Sequence, residues 1–463
     1  MAHEWENGAD DRPMHRASED PEPPFHEGGD AKSAASFALP RPSRTLTALT
    51  TSALALPGIA GSARAETPIE RASASSAFSY YKEDDLPSGK FAGAGNGSRE
   101  RYEVFTGQLR FDVPLTERTD LGVDFLYEKM SGASPWFVQA DSVTNEPVQV
   151  MSGATIEDQR FDLSLDVDFF MDRGKDTLSG GFSKENDYLS INFGLAAERN
   201  LNEKNTTVSA AGAFSYDWID PTDADLFTTR PAHKKKWSVD LFAGLSQIFS
   251  RASTGQFTIN YKHSDGYLSD PYKAIRGIGP GDPLLPDRRP GKKDQVSLLF
   301  RYRHHFESLN GSLHADYRFY ADDWEMKSHT VDLAWYQDFL GLGWLTITPS
   351  VRWYSQSKAF FYDPLLPAGA DPKTASSDYR LSPYGAISYR LKVEAEFVDL
   401  WNYDAPAWLQ AVGVSDGFDL IASLSAERYL SDGSFGVVSV GNDEEAPALV
   451  RFSVFAFTLT GRF

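Results

Sequence analysis

The sequence predicts an all-β protein, a transmembrane antiparallel up-and-down β-barrel of about 16 strands, with 14 as the alternative count. Three observations support this fold class. Apolar and polar residues alternate with a period of two through most of the chain after residue 74. The connections between the alternating segments are short and long in turn. No apolar run approaches the roughly 20 residues that a transmembrane helix needs.

The alternation is clearest in the segments 160–171, 237–249 and 295–306. In the first segment every odd position from 161 to 171 is apolar, and every even position from 160 to 168 is polar or charged. Successive side chains of a strand point to opposite faces, so the pattern predicts a lipid-facing and a lumen-facing side. The predicted strands are 74–83, 101–114, 120–130, 157–171, 177–184, 187–199, 206–219, 235–249, 254–267, 294–306, 311–322, 327–338, 344–357, 380–392, 417–430 and 449–463.

Residues 41–65 have the parts of a secretory signal peptide: basic residues, a short apolar stretch and a small-residue cleavage site ending at Ala65. The alternative for this segment is a disordered linker. With cleavage after Ala65, the mature barrel is residues 66–463 and begins at Glu66. Residues 1–40 are polar and rich in proline and acidic residues, so we expect them to be disordered and expect the true start codon to lie downstream. Export of such a barrel predicts the outer membrane of a Gram-negative bacterium.

Composition excludes several classes of function. The chain has no cysteine, which rules out disulfides, thiolate metal sites and a cysteine nucleophile. The formal net charge is −20, which argues against a nucleic-acid partner. No metal-ligand spacing and no Ser/His/Asp arrangement stands out, so we expect no cofactor, no metal and no enzymatic activity.

The C-terminal segment LVRFSVFAFTLTGRF ends in phenylalanine. Apolar residues occupy alternate positions upstream of the end, and Gly461 interrupts the row. An end of this kind predicts recognition by the outer-membrane assembly machinery; an ordinary final strand is the alternative. The predicted assembly signal is Phe455, Phe457, Leu459 and Phe463.

The polar face of the predicted strands is acidic in the first half of the barrel and mostly basic in the second half. Separate acidic and basic walls would set a transverse field across a pore. The alternative is an internal lattice of ion pairs that plugs the lumen, since charges in a water-poor interior must be paired. The predicted lumen-lining residues are Asp162, Asp166, Asp168, Asp240, Arg301, Arg303, Arg318, Arg352 and Arg390.

Two basic clusters fall in predicted outer loops, where they could contact phosphates of lipopolysaccharide. Solvated loop charge is the alternative. The clusters consist of Lys234, Lys235 and Lys236, and of Arg288 and Arg289. Aromatic residues near the strand ends predict interfacial girdles that contact outer-membrane lipid. Asp265 and Asp270 lie in SDGYLSDPYK, where a backbone turn is a better interpretation than a calcium site.

Several stretches resemble a family of outer-membrane barrels known only as domain of unknown function 3570. They are SGASPWFV at 131–138, GGFSKENDYLS at 180–190, LNEKNTTVS at 201–209, GLSQIFSR at 244–251, YKHSDGYLSDPYK at 261–273 and AERYLSDGSF at 426–435. The resemblance implies the fold and the compartment. It carries no substrate and no catalytic residues.

These observations predict a porin-like diffusion channel for small polar or charged solutes. A plugged structural barrel that holds a periplasmic partner is the second hypothesis. That partner could bind residues 394–416, for which we expect a short helix on the inner rim. An outer-membrane lipid hydrolase is the third hypothesis.

Overall fold

The structure is a computed structural model that describes residues 68–92, 98–152, 156–222, 224–279, 281–339, 342–401, 417–437 and 446–463, with Pro406, Gln410 and Val414. The predicted signal peptide and the predicted disordered segment 1–40 lie outside these residues. Within the described part of the chain, no helix is both long enough and apolar enough to cross a membrane.

Twenty strands make up almost all of the regular structure of the described residues. The first ten are β1 Ser73–Glu83, β2 Glu103–Thr116, β3 Thr119–Gly132, β4 Pro135–Ala140, β5 Pro147–Met151, β6 Ile156–Met171, β7 Gly174–Lys184, β8 Tyr188–Leu201, β9 Thr206–Ile219 and β10 Lys234–Ser250. The last ten are β11 Ser253–Gly266, β12 Ala274–Arg276, β13 Leu284–Pro286, β14 Lys292–Phe306, β15 Gly311–Asp322, β16 Lys327–Phe339, β17 Leu342–Gln356, β18 Tyr384–Trp401, β19 Phe418–Asp432 and β20 Arg451–Arg462.

Sixteen of these strands, counted over the described residues, form one closed antiparallel barrel, and each pairs with its neighbours along the chain. The predicted fold class and the count of 16 are therefore confirmed. β1 closes the barrel against β20 in a register that runs from Ser73 opposite Arg462 to Glu83 opposite Phe452. The two remaining pairs, β4 with β5 and β12 with β13, are short hairpins inside long connections. Neither hairpin is among the strands predicted from the sequence.

The outer wall of the barrel is apolar and exposed. On β6, Phe161, Leu165 and Phe169 are each 45–47% exposed, whereas Asp168 between them is buried on the inner side. The same outward face continues across strands, because Phe193 of β8 stands directly opposite Phe214 of β9. Soluble monomers rarely expose such a continuous apolar surface, so the strand phase predicted from the alternation is the one the structure adopts.

The two ends of the barrel differ in their connections. The start of β1, the end of β20 and most of the short turns lie at one end, which we call the turn end. Most of the long connections lie at the other, the loop end, together with the short β7–β8 and β15–β16 turns. In the segment 394–416, for which a short helix is predicted, β18 continues as strand to Trp401, and further along Gln410 is helical and donates its backbone N–H to the Pro406 carbonyl at 3.1 Å. Most of the remaining residues of that segment lie outside the described part of the chain. The predicted start of this strand at 380 is wrong, since residues 379–381 form a 3-10 turn.

The last strand brings the predicted assembly residues to the outside of the seam. Phe455 and Phe457 point outward and are 57% and 38% exposed. The ring of Phe463 lies 5.2 Å from that of Phe418. A Cβ atom at Gly461 would lie 2.7 Å from the Phe418 ring, so these rings occupy the space above the glycine. That contact explains the interruption of the apolar row.

Candidate functional site: the barrel interior and its loop-end cap

An acidic arc lines the inner face of β2, β3 and β6. Three of its carboxylates surround the guanidinium group of Arg110, which lies 2.6 Å from Asp112, 3.6 Å from Asp166 and 3.9 Å from Asp124. A fourth, Glu128, pairs with Arg160 at 2.9 Å. Asp162 accepts a hydrogen bond from the Ser164 hydroxyl at 3.1 Å. Carboxylates outnumber cations here. The inward-facing charged residues of these three strands are Arg110, Asp112, Asp120, Asp124, Glu128, Arg160, Asp162, Asp166 and Asp168.

A basic arc lines the inner face of β14 to β18. Asp316 pairs with Arg303 and, at 3.3 Å, with Arg301. Asp332 pairs with Arg352 at 2.7 Å. Arg301 also donates to the side-chain oxygen of Gln256 at 3.1 Å. Cations outnumber carboxylates in the middle of these strands, whereas near the strand ends Lys293 pairs with Asp322 at 2.9 Å and Lys392 with Glu394 at 2.7 Å. Arg318 and Arg390 are half-buried on the same inner face.

The two arcs face each other across the barrel. β3, the centre of the acidic arc, is third in the ring of strands, and β16, the centre of the basic arc, is twelfth. In a ring of sixteen, counted over the described residues, they are nine places apart in one direction and seven in the other, close to half of the circumference. The charge separation expected from the sequence is therefore present in the geometry.

Asp240 does not belong to either net-charged arc. Its carboxylate lies 2.9 Å from the ammonium group of Lys262 on the neighbouring strand, and both side chains are buried. Nearby, Asp217 lies 3.6 Å from Lys236. These local pairs confine the acidic wall to β2, β3 and β6. Asp168 is also partly neutralised, by Lys175 at 3.8 Å.

The long connections pack together into a cap with its own apolar core. We call the residues 267–291, 357–383 and 446–450, so far as they are described, the loop-end cap. Its core contains Phe361, Tyr362, Tyr379 and Val450 among other buried residues, together with Trp324 of the β15–β16 turn. The sequence pattern indicates loops here and does not reveal a folded cap.

The cap is tied to loops around the barrel rim. The Lys273 ammonium donates to the Pro135 carbonyl in the β3–β6 connection, although β3 and β11 lie six places apart in the ring. The Tyr272 hydroxyl donates to Asp187 in the β7–β8 hairpin. Arg101, in the β1–β2 connection, donates to the Ala448 carbonyl at 3.0 Å. The cap therefore extends across the loop end of the barrel.

A buried ionic network holds the cap segments to one another. Arg380 pairs with Asp270 and Asp378, and both carboxylate side chains are 0% exposed. Arg289 lies 2.8 Å from Asp378 and 2.7 Å from Asp287. Residues from the β11–β14 and β17–β18 connections thus share one set of charges. Asp270 Oδ1 also accepts from the Tyr272 backbone N–H at 3.0 Å, as expected for a backbone turn.

The charges of this network shift its pKa values. Burial lowers the pKa of Lys273 to about 8, although Asp378 and Asp270 act in the opposite direction. Burial opposes the ionised form of Asp378, but Arg380 and Arg289 outweigh it and hold the pKa of that carboxyl below its ordinary range. Burial likewise opposes the charge on Arg380, and Asp378 and Asp270 hold its pKa well above the ordinary value.

Two of the predicted lipopolysaccharide contacts are wrong. Lys236 points into the barrel wall beside Asp217, and its side chain is 3% exposed. Arg289 is 7% exposed because it belongs to the buried network of the cap. Lys234 and Lys235 are exposed, and Arg288 is partly exposed and pairs with Asp371.

Three carboxylates lie close together at the loop end, an arrangement not expected from the sequence. Asp158, Glu185 and Asp187 bring oxygens within 4.8 Å of one another. Asp187 is the one that binds the Tyr272 hydroxyl. Residues of β6 and of the β7–β8 hairpin are brought together only by the pairing of these strands, so neither their spacing nor their composition indicated the group.

Comparisons with solved structures find barrels of similar general form. A bacterial polysaccharide outer membrane secretin is 9% identical, with a TM-score of 0.42 over 85% of this chain and 99% of that one. Pseudomonas aeruginosa OccK3 is 10% identical, with a TM-score of 0.37 over 84% and 94%. A Pseudomonas aeruginosa FadL homologue is 11% identical, with a TM-score of 0.35 over 85% and 90%. The fold assignment rests on the strand pairing of this chain itself.

No curated protein sequence matches the chain. A family model described as protein of unknown function DUF3570 matches residues 46–407, well over half of the sequence. This match confirms the resemblance found in the sequence motifs, and the chain therefore belongs to the DUF3570 family.

Proposed function

We propose that the protein is a diffusion channel for small polar or charged solutes in the bacterial outer membrane. The apolar outer wall supports the location, because only a lipid environment satisfies such a surface around a closed barrel. The turn end then faces the periplasm and the loop end faces the outside, as in other barrels with short periplasmic turns.

The observation that carries the proposal is the placement of the acidic and basic arcs on opposite walls. Charges of opposite sign across a narrow lumen produce a transverse field, which orients polar solutes and selects among ions. Arg352 and Asp332 remain 26% and 22% exposed on their side chains. Part of the basic arc therefore borders free space inside the barrel, which supports a lumen that polar solutes can enter. The proposed function includes no chemical step and no cofactor.

A closed structural barrel is the second candidate, and the loop-end cap favours it. In this alternative the cap stays in place and the inner ion pairs serve only stability. The two candidates differ in one measurable property, because the structural barrel conducts no ions.

The test is single-channel recording in planar bilayers with the wild type and with Arg301→Gln/Arg303→Gln/Arg352→Gln. We expect the wild type to conduct, at least in bursts when the cap opens. We expect the triple variant to shift its reversal potential in a salt gradient toward cation preference. The shift should shrink at 1 M salt, where the screening length is about 3 Å.

A charge-matched control removes three cations that face outward, in Lys82→Gln/Lys292→Gln/Lys327→Gln. This control should keep wild-type selectivity. A wild-type protein that is folded in the bilayer but never conducts, even after its cap is loosened, would show that it is the structural barrel. A triple variant that conducts with wild-type selectivity would show that the basic arc does not line the conducting path.

A further inference from the structure

Four outward-facing residues form a row across β7, β8, β9 and β10 at the loop end. Lys184 stands opposite Leu189, Leu189 opposite Trp218, and Trp218 opposite Lys235. We call these four residues the cationic row. We propose that the cationic row binds the phosphorylated headgroup of a glycolipid in the outer leaflet, an inference that rests on the proposed outer-membrane location.

The surface below the cationic row is built for acyl chains. One step toward the barrel middle, the same four strands place Phe182, Ile191, Tyr216 and Trp237 side by side. Phe193 and Phe214 follow on the next level. Tyr216 packs against Trp218 with ring centroids 4.7 Å apart. A lipid that lies along this wall would place its chains on these side chains and its headgroup at the two lysines.

Both lysines are exposed, and neither forms an ion pair with any residue that the structure describes. Of the other outward-facing lysines at the loop end, Lys82 and Lys292 are already neutralised, whereas Lys129 and Lys327 are exposed on strands elsewhere in the ring. Lys82 lies 2.5 Å from Glu103, and Lys292 lies 3.3 Å from Asp265. The cationic row is therefore a place on the lipid-facing wall where positive charge is available to a ligand.

The spacing of the two lysines suits a headgroup with more than one phosphate. Three strand intervals separate them, which is roughly 14 Å along the wall. Two fixed cations at that separation can each contact a phosphate of a disaccharide headgroup, with Trp218 between them at the level where amphipathic rings favour the interface. Lipopolysaccharide has this chemistry. The site keeps Lys235 from the clusters expected from the sequence and joins it to residues of three neighbouring strands.

The test uses full-length barrel in detergent, with Lys184→Gln/Lys235→Gln as the variant. Arg173→Gln/Arg251→Gln is the matched control, because it removes two exposed cations from turns at the opposite end. Native mass spectrometry would measure retention of purified lipid A, of dephosphorylated lipid A and of phosphatidylethanolamine. Inorganic pyrophosphate is the soluble probe. Each lysine near an anionic headgroup adds electrostatic attraction to the binding free energy, so losing both lysines should weaken the binding of lipid A by about tenfold or more.

We expect the control variant to bind lipid A as strongly as the wild type does. The wild type should bind dephosphorylated lipid A only as weakly as the lysine variant binds lipid A. Equal binding of lipid A by the variant and the wild type would overturn the proposal. Competition by pyrophosphate as effective as that by lipid A would also overturn it, since the site would then be a free-phosphate site. Conductance of the same variant separates this inference from the channel proposal, because the cationic row lies outside the lumen and its loss should leave single-channel current unchanged.

Discussion

Replacing Arg380 with glutamine should open the loop-end cap. The guanidinium group pairs with Asp270 and Asp378, whose side chains are 0% exposed. Removing one partner of a buried ion pair costs about 3–5 kcal/mol, because the remaining charge stays buried without compensation. Asp378 keeps Arg289 at 2.8 Å, so we expect the lower end of that range. A cost of about 3 kcal/mol changes the ratio of closed to open cap by roughly 100-fold.

The readout is hydrogen exchange of the Ala375 backbone N–H in the intact barrel. This group donates to the Arg288 carbonyl at 2.8 Å and so reports directly on the contact between two cap segments. In Arg380→Gln its exchange should accelerate by roughly 100-fold, the factor given by a loss of about 3 kcal/mol. Planar-bilayer recordings of the same variant should show longer open times if the cap is the barrier to solutes.

Arg288→Gln is the matched control, because Arg288 links the same two cap segments through an exposed pair with Asp371. Exposed pairs contribute about 0–1 kcal/mol, so Ala375 exchange should change by less than about fivefold. The reasoning is refuted if Arg380→Gln leaves Ala375 as protected as in the wild type. It is also refuted if the two variants accelerate exchange equally, since burial of the ionic network would then have no consequence.

Three further predictions concern pH, assembly and processing. The closed cap holds the pKa of Lys273 at about 8, whereas an exposed lysine titrates near 10.4. Between these two pH values only the open cap binds the extra proton, so raising the pH through this window should stabilise the closed cap. Exchange of the Ala375 N–H, corrected for the intrinsic effect of pH, should therefore slow in the wild type but not in Lys273→Met. The Lys273 ammonium group faces Asp270, Asp378, Arg380 and Arg101. A flat wild-type profile would contradict the assignment. Deleting Phe463 removes the ring that packs on Phe418, and folded barrel, detected by its heat-dependent shift in gel mobility, should be lost. Phe463→Leu should retain most of the folded barrel. Normal assembly of the deletion variant would refute an assembly signal at this end. Mass analysis of protein from the outer membrane should find Glu66 as the first residue, and a mature chain that still carries 41–65 would contradict the predicted cleavage.

The strand phase and the count of strands were readable from the sequence, because a wall with lipid on one side forces every strand to alternate. The segment 160–171 shows this directly, since the odd positions are apolar and the structure exposes Phe161, Leu165 and Phe169. The same logic located Arg301 and Arg352 on the inner face. The predicted strand ended too early at 392, because Glu394 to Phe397 still alternate and pair with β19 before the register shifts between Phe397 and Trp401.

Contacts between distant segments could not be read in this way. Lys236 is one of three consecutive lysines in the sequence, and only its strand phase and the position of Asp217 on β9 decide that it is buried. Arg289 stands beside Arg288 in the chain, yet one is buried in the cap and the other is partly exposed. A run of charges therefore gave no information about which of its members remain accessible.

By itself, the sequence determined a closed barrel with a polar interior and an apolar exterior, because alternation is a local property that each strand carries separately. The tertiary structure decided which charges meet. Closure of the ring set the acidic arc opposite the basic arc, strand register aligned Lys184 with Lys235 across two intervening strands, and packing of the long connections assembled Asp270, Asp378 and Arg380 into one network. Each of these depends on residues far apart in the chain, whose distance is set by the path of the whole backbone and by no local pattern.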